Sequence, residues 1–255
     1  MSELQTPPSG QQNAALPLFF QNPVVLSSQA HKDWRLKAGG YGFTEQSVSV
    51  PVSVSEFSAA GRDYPIVFAA NNAAPIVLLG LKDKNLSIAD GQWDEALYIP
   101  AYIRRYPFGA VRVDETSEPV MMIDAASERV VQADAQSPSD EGMALFDDRQ
   151  PSDFLKKMLS FCEQFHNDAM RTLAFSEALK EADLLVDRRA DVTLPNEGGK
   201  LGVAGFQVID PERFSNLDDA RVLDWHRKGW LGLIHLHLTS LERFQSLMRR
   251  QSRLG

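Results

Sequence analysis

The sequence predicts an α+β protein: mostly antiparallel sheet, a short proline-bracketed helix and two long helices in the C-terminal half. Three observations carry this expectation. Through residues 17–131, apolar side chains alternate or run continuously in short segments, as strands do. From residue 154 they recur at helical spacing for about seven turns. Between the two regimes lies an acidic, turn-rich stretch, residues 132–150, which is the best internal boundary.

The elements follow in order. Residues 1–16, rich in Gln, Pro, Ser and Ala, read as a disordered lead-in. They lack the basic start and apolar run of a secretory signal, so a cytoplasmic location is the default expectation, with signal-independent export left open. Residues 17–255 are expected to form a single domain, with 17–131 and 151–255 as possible lobes. Residues 46–50 and 52–54 alternate with period two, and Pro51 suits an edge strand. The continuous apolar runs 64–69 and 75–81, separated by Asn71-Asn72, read as central strands of a hairpin. Pro100 suits a first helical turn and Pro107 stops the helix, giving about two turns between them. Strands follow at 110–113 and 120–123. The long amphipathic helix enters through Pro151 or Ser152 and carries Phe154, Met158, Phe161, Phe165, Ala169, Thr172 and Leu179 on its apolar face. A second hairpin spans 191–194 and 201–209, and a last helical region runs from about 216 to 250 with a possible break at Gly229.

Bulk properties narrow the function classes. A net charge of −8 argues against nucleic acid as a partner, because phosphate binding requires a basic face. The terminal Arg243, Arg249, Arg250 and Arg253 suit a solvated helix end. The longest apolar stretch near that end, 230–238, is too short to span a bilayer. Cys162 is the only cysteine, which rules out an intramolecular disulfide; its apolar helical setting suits a buried thiol rather than a nucleophile.

Candidate chemistry is sparse. His235 and His237 lie about 200° apart on a helix and cannot converge on one ion, and Asp224 and His226 have the same spacing. Gly198-Gly199-Lys200-Leu201-Gly202 sits in a hairpin rather than between strand and helix, so it is no phosphate loop. No metal and no cofactor are expected. The catalytic residues are unknown, although Asp63, Asp94 and Asp210 could converge in the fold.

The strongest polar feature is Tyr98-Ile99-Pro100-Ala101-Tyr102-Ile103-Arg104-Arg105-Tyr106-Pro107-Phe108. Adjacent helical residues diverge by about 100°, so one arginine at a time points inward. A buried arginine demands a carboxylate or several carbonyls, and Asp63, Asp94 and Glu95 are on offer. In one reading the arginines form a structural ion pair between helix and sheet. In the other they bind an anionic group, such as a peptide terminus, with Tyr102 and Tyr106 as walls. Arg104, Arg105, Tyr102, Tyr106 and Tyr64 are the candidate ligand-binding residues.

This block, with Phe20-Gln21-Asn22-Pro23-Val24, Tyr64-Pro65-Ile66-Val67-Phe68, Gly205-Phe206-Gln207-Val208-Ile209-Asp210 and Gly229-Trp230-Leu231, resembles the SapC family over about residues 17–250. That resemblance implies an association with bacterial surface-layer gene clusters, and with genes for outer-membrane receptors and flavin-dependent halogenases. It brings no catalytic residues. The function it implies is a non-catalytic accessory or binding protein for peptide or protein clients of surface-layer or outer-membrane uptake systems. The alternative is an enzyme modifying a peptide or small metabolite, with its site near Arg104 and Arg105.

Overall fold

The computed structural model describes residues 16–111, 120–134, 139–193 and 200–252. The expected lead-in, apart from residue 16, and the turn of the second hairpin at 194–199 lie outside the described residues. In chain order the main strands are β1 (Pro23–Val25), β2 (Ser49–Pro51), β3 (Ile66–Ala69), β4 (Pro75–Leu78), β5 (Phe108–Val111), β6 (Val120–Asp124), β7 (Leu185–Thr193) and β8 (Lys200–Ile209). The helices are α1 (Phe57–Asp63), α2 (Ala101–Arg104), α3 (Asp153–Glu181), α4 (Pro211–Ser215), α5 (Asp219–Arg227), α6 (Trp230–Ser240) and α7 (Arg243–Gln251).

A five-stranded antiparallel sheet runs in the order β7-β8-β3-β4-β2, so strands from both halves of the chain share it. A second sheet has the order β1-β6-β5. The fold is therefore the expected α+β class with antiparallel sheets and long C-terminal helices. The central position of β3 explains its unbroken apolar run: Ile66, Val67 and Phe68 are all fully buried. Because strand side chains alternate, Ile66 and Phe68 pack into a core with Phe57, Phe175 and Ile234. Val67 enters a different one, with Phe206, Val208 and Leu247.

Several elements differ from the sequence reading. Residues 52–54 do not continue β2, because Ser53 and Glu56 form a capping box that turns the chain into α1. Of the two entry residues expected for α3, Ser152 is the cap, its hydroxyl accepting from the Leu155 amide at 3.2 Å. The buried face of α3 is Leu155, Cys162, Thr172, Phe175, Ser176 and Leu179, while Ala169 is exposed. The helix thus leans away from the expected stripe, passing from a core around Phe108 and Ile123 to the one around Phe57. The terminal helical region is divided into shorter helices. Asp210 caps α4, Asp218 caps α5, and Gly229 breaks the chain before α6 at φ 74°, a left-handed conformation that suits glycine.

His237 on α6 holds the sheet where the β8–β3 ladder runs out. Its Nε2 accepts from the Ile209 amide at 3.1 Å, which leaves the proton on Nδ1 to donate to the Ile66 carbonyl at 2.9 Å. Ser240, one turn on, accepts from the Ile66 amide at 3.0 Å. His235 faces solvent, as the spacing predicts.

Burial drives the His237 imidazole down to about 4. The unfolded chain, with the ring at 6.5, therefore takes up the proton first. Stability from this group is complete above pH 6.5 and falls as pH drops toward 4, by about 3 kcal/mol in total. NMR titration should show a His237 ring signal unmoved down to about pH 5; a midpoint near that of a free imidazole would overturn this assignment.

Candidate functional site

The site is built on the chain from Tyr98 to Phe108. Pro100 takes the N-cap position at φ −55°, and α2 is only four residues long, shorter than the two turns expected. A turn through residues 105–107 then leads into β5 at Phe108. Two acids from around α1 hold this segment. Asp63 Oδ2 accepts the Tyr98 amide at 2.8 Å. Glu56, buried at 5% exposure, accepts from the Ser53 amide and hydroxyl at Oε2 and from the Tyr98 hydroxyl and Ala101 amide at Oε1. The Ala101 bond, at 2.6 Å, satisfies the first free amide of α2.

The two arginines diverge as helical geometry requires. Arg104 is exposed; its Nε donates to the Ile99 carbonyl at 2.9 Å and its Nη2 to the Tyr98 hydroxyl at 3.1 Å. Its guanidinium lies over the Phe161 and Tyr98 rings. Arg105 is 7% exposed and has no carboxylate partner among the described residues. The acids expected to pair with it are engaged elsewhere or face solvent: Asp63 with Tyr98 and Arg62, Asp94 with the Ala96 amide, and Glu95 exposed. Instead its Nη1 donates one long bond to the Phe108 carbonyl at 3.4 Å, and its guanidinium sits between ring faces, 4.3 Å from the centroid of Tyr102, 5.0 Å from Phe165 and 5.4 Å from Phe20. The negative quadrupoles of these rings replace a counter-ion. Arg105 thereby ties α2 to both the N-terminal strand region and α3.

A polar cavity of about 360 Å³ opens beside Arg104, lined by Ser55, Glu56, Tyr98, Gln164, Phe165 and Asp168 among others. Ser55 donates to Asp168 at 2.8 Å. An apolar cavity of about 250 Å³ adjoins it, walled by Pro51, Val52, Pro75, Phe165 and the exposed Leu173. Ser53 and Phe165 line both, so the two lie side by side and together make up the groove region along α3. Burial, and then the Glu56 carboxylate, push the Tyr98 hydroxyl up to about 12. Burial likewise raises the Cys162 thiol to about 11 against the opposing pull of Arg105.

Of the five residues singled out from the sequence, Arg104 alone borders this groove. Tyr102 lies against Arg105, and Tyr64 is buried, its hydroxyl donating to the Tyr98 carbonyl at 2.7 Å. Tyr106 donates to Asp124 at 2.9 Å and lines a separate cavity. Asp63, Asp94 and Asp210 do not converge: each caps a local or neighbouring amide. Sequence reading missed Glu56, although Ser53-x-x-Glu56 before Phe57 is a capping-box signature. It also missed Gln164 and Asp168, one turn apart on α3, whose spacing alone suggests no more than a solvated face. No three His, Cys, Asp or Glu side chains among the described residues are grouped to hold a metal. No helix among them is long and apolar enough to cross a membrane.

Glu56→Gln exchanges one acceptor oxygen for a donor that must face donors, and should cost about 2–3 kcal/mol in urea denaturation. Loss below ~0.5 kcal/mol, the range of ordinary surface changes, would contradict the described network. Arg105→Lys removes the planar group stacked between rings and should cost about 1–2 kcal/mol, while Arg104→Lys should stay within about 0.5 kcal/mol. Equal costs would contradict the division between them.

No curated protein and no solved structure is detectably similar to the chain. The SapC family pattern, by contrast, matches residues 26–247, a span that holds the Tyr98–Phe108 block, the groove and both ends of the five-stranded sheet. On that match, the chain belongs to the SapC family.

Proposed function

We propose that this protein binds peptide or protein clients without transforming them, and that the groove along α3 is where it does so. The observation that carries the reading is that an apolar and a polar cavity share Ser53 and Phe165 as walls, with Arg104 exposed at the polar end. An extended peptide could seat an apolar side chain against Pro75 and Leu173 while presenting a carboxylate to Arg104. Binding rather than reaction is supported by the direction in which burial drives the neighbouring groups. The Tyr98 hydroxyl at about 12 and the Cys162 thiol at about 11 are held away from neutral pH, where acid–base and nucleophilic work is done. Both oxygens of Glu56 are already engaged. Family membership is the reason to look for clients among proteins of bacterial surface layers and outer-membrane uptake systems.

A random peptide library panned against the full chain tests this. Enriched sequences should carry an apolar residue beside an acidic side chain or a free C-terminus. Arg104→Gln should weaken the best binder about tenfold with an unchanged melting temperature, and Leu173→Glu should do the same. A library in which these two variants enrich the same sequences as the parent chain would sink the assignment of the groove.

A further inference from the structure

On the other side of the Tyr98–Phe108 block, Tyr106 borders a larger cavity of about 680 Å³, in the size range of small-molecule sites. Its walls are the glycine-rich loop at 38–43, Gly91-Gln92, Gln21 and the turn at 126–129. No residue lines both this cavity and the groove along α3.

The loop is shaped around an arginine. A Cβ on Gly39 would lie 2.9 Å from Arg129 Cγ, so only glycine lets the Arg129 side chain lie flat across the backbone there. A Cβ on Gly40 would strike the Gly91 carbonyl, and the two loops close against each other through this gap. Arg129 Nη1 donates to the Tyr106 carbonyl at 3.3 Å and Nε to the Lys37 carbonyl at 3.5 Å. Both bonds are long, and no carboxylate pairs with this guanidinium among the described residues. Burial holds its pKa below the usual arginine range, and the phenols of Tyr41 and Tyr106, neutral at pH 7, are its titratable neighbours.

The acids nearby do not neutralise it. Asp124, fully buried, has its oxygens taken by the amides of Gln21 and Asn22 and the Tyr106 hydroxyl. Glu128 is exposed at the rim and forms no ion pair among the described residues. Lys37 reaches only the exposed Glu141, at 4.0 Å. In a chain of net charge −8, this cavity carries one cation, Arg129, with no carboxylate partner among the described residues, and a second, Lys37, held by a single exposed carboxylate at the limit of ion-pair distance. Gly39 and Gly40 line the cavity, and their amides donate to no other described residue. Phe43 and Tyr106, with ring centroids 4.4 Å apart, supply an aromatic wall.

We propose that this cavity binds a small organic anion, its carboxylate or phosphate held by Arg129 and Lys37 and its body resting on Phe43 and Tyr106. The site stands apart from the client groove and does not depend on it.

Benzoate, phenyl phosphate and neutral benzyl alcohol, titrated into the full chain and followed by amide NMR, test the proposal. Both anions should give saturable shifts at Gly39, Gly40 and Ser127, and benzyl alcohol none; the tighter anion identifies the head group. Arg129→Gln should weaken binding about tenfold and Lys37→Gln about threefold. Lys37 is partly exposed and holds no core contact, so Lys37→Gln keeps the test decisive if Arg129→Gln fails to fold. Absence of saturable shifts with both anions, equal shifts with benzyl alcohol, or parent-like affinity in the folded variants would overturn the proposal. Peptide binding along α3 should be unchanged in either variant, so the two assignments fail separately.

Discussion

The buried carboxylate of Glu56 is the constraint on which the functional half of this molecule depends. A charge at that depth is tolerable only if its lone pairs are met, and four donors meet them: the Ser53 amide and hydroxyl, the Tyr98 hydroxyl and the Ala101 amide. The first pair turns the chain from β2 into α1. The second pair fixes the start of α2 and the ring of Tyr98, on which Arg104 rests. One side chain thus sets the entry to a helix, the position of a second helix and the orientation of the exposed arginine.

From that fixed start, the hand of a helix separates two adjacent arginines into different roles. Arg104 turns outward over Tyr98 and Phe161 and gives the groove its positive end. Arg105 turns inward, where the faces of Tyr102, Phe165 and Phe20, with the Phe108 carbonyl at 3.4 Å, offer negative potential. Ring faces bind a guanidinium less tightly than a carboxylate does, but they cost little to desolvate, and in a dry setting that difference favours them. The same ring of Phe165 lines both cavities of the groove, so the structural arginine supports the wall against which a client would lie.

Tyr106 completes the segment on its other side. Its hydroxyl is anchored to Asp124, which ties together the amides of Gln21 and Asn22, and its ring and carbonyl face the cavity that holds Arg129. Three arginines therefore stand around one short block without a carboxylate pairing any of them among the described residues. One is met by rings, one is open to the groove, and one lies across a glycine backbone.

Much of the fold was legible in the residues themselves, because its signals are local. The unbroken run at 66–68 marked a strand buried on both faces, Pro100 marked the start of α2, and the spacing of His235 and His237 separated a surface ring from a core one. Ser53-x-x-Glu56 carried an equally local signal for α1 that went unread. The partners of Arg105 could not be read, since Phe20, Tyr102 and Phe165 come from three separate parts of the chain and their convergence is a product of packing. The same holds for Glu56 and Ala101, 45 residues apart, and for the fit of Gly39 beneath Arg129. Sequence by itself determined the class of fold, where α2 and α3 begin, and the family. Only tertiary structure decided which arginine is buried, which acid holds the site and where the cavities lie, because burial and charge pairing are set by neighbours distant in the chain.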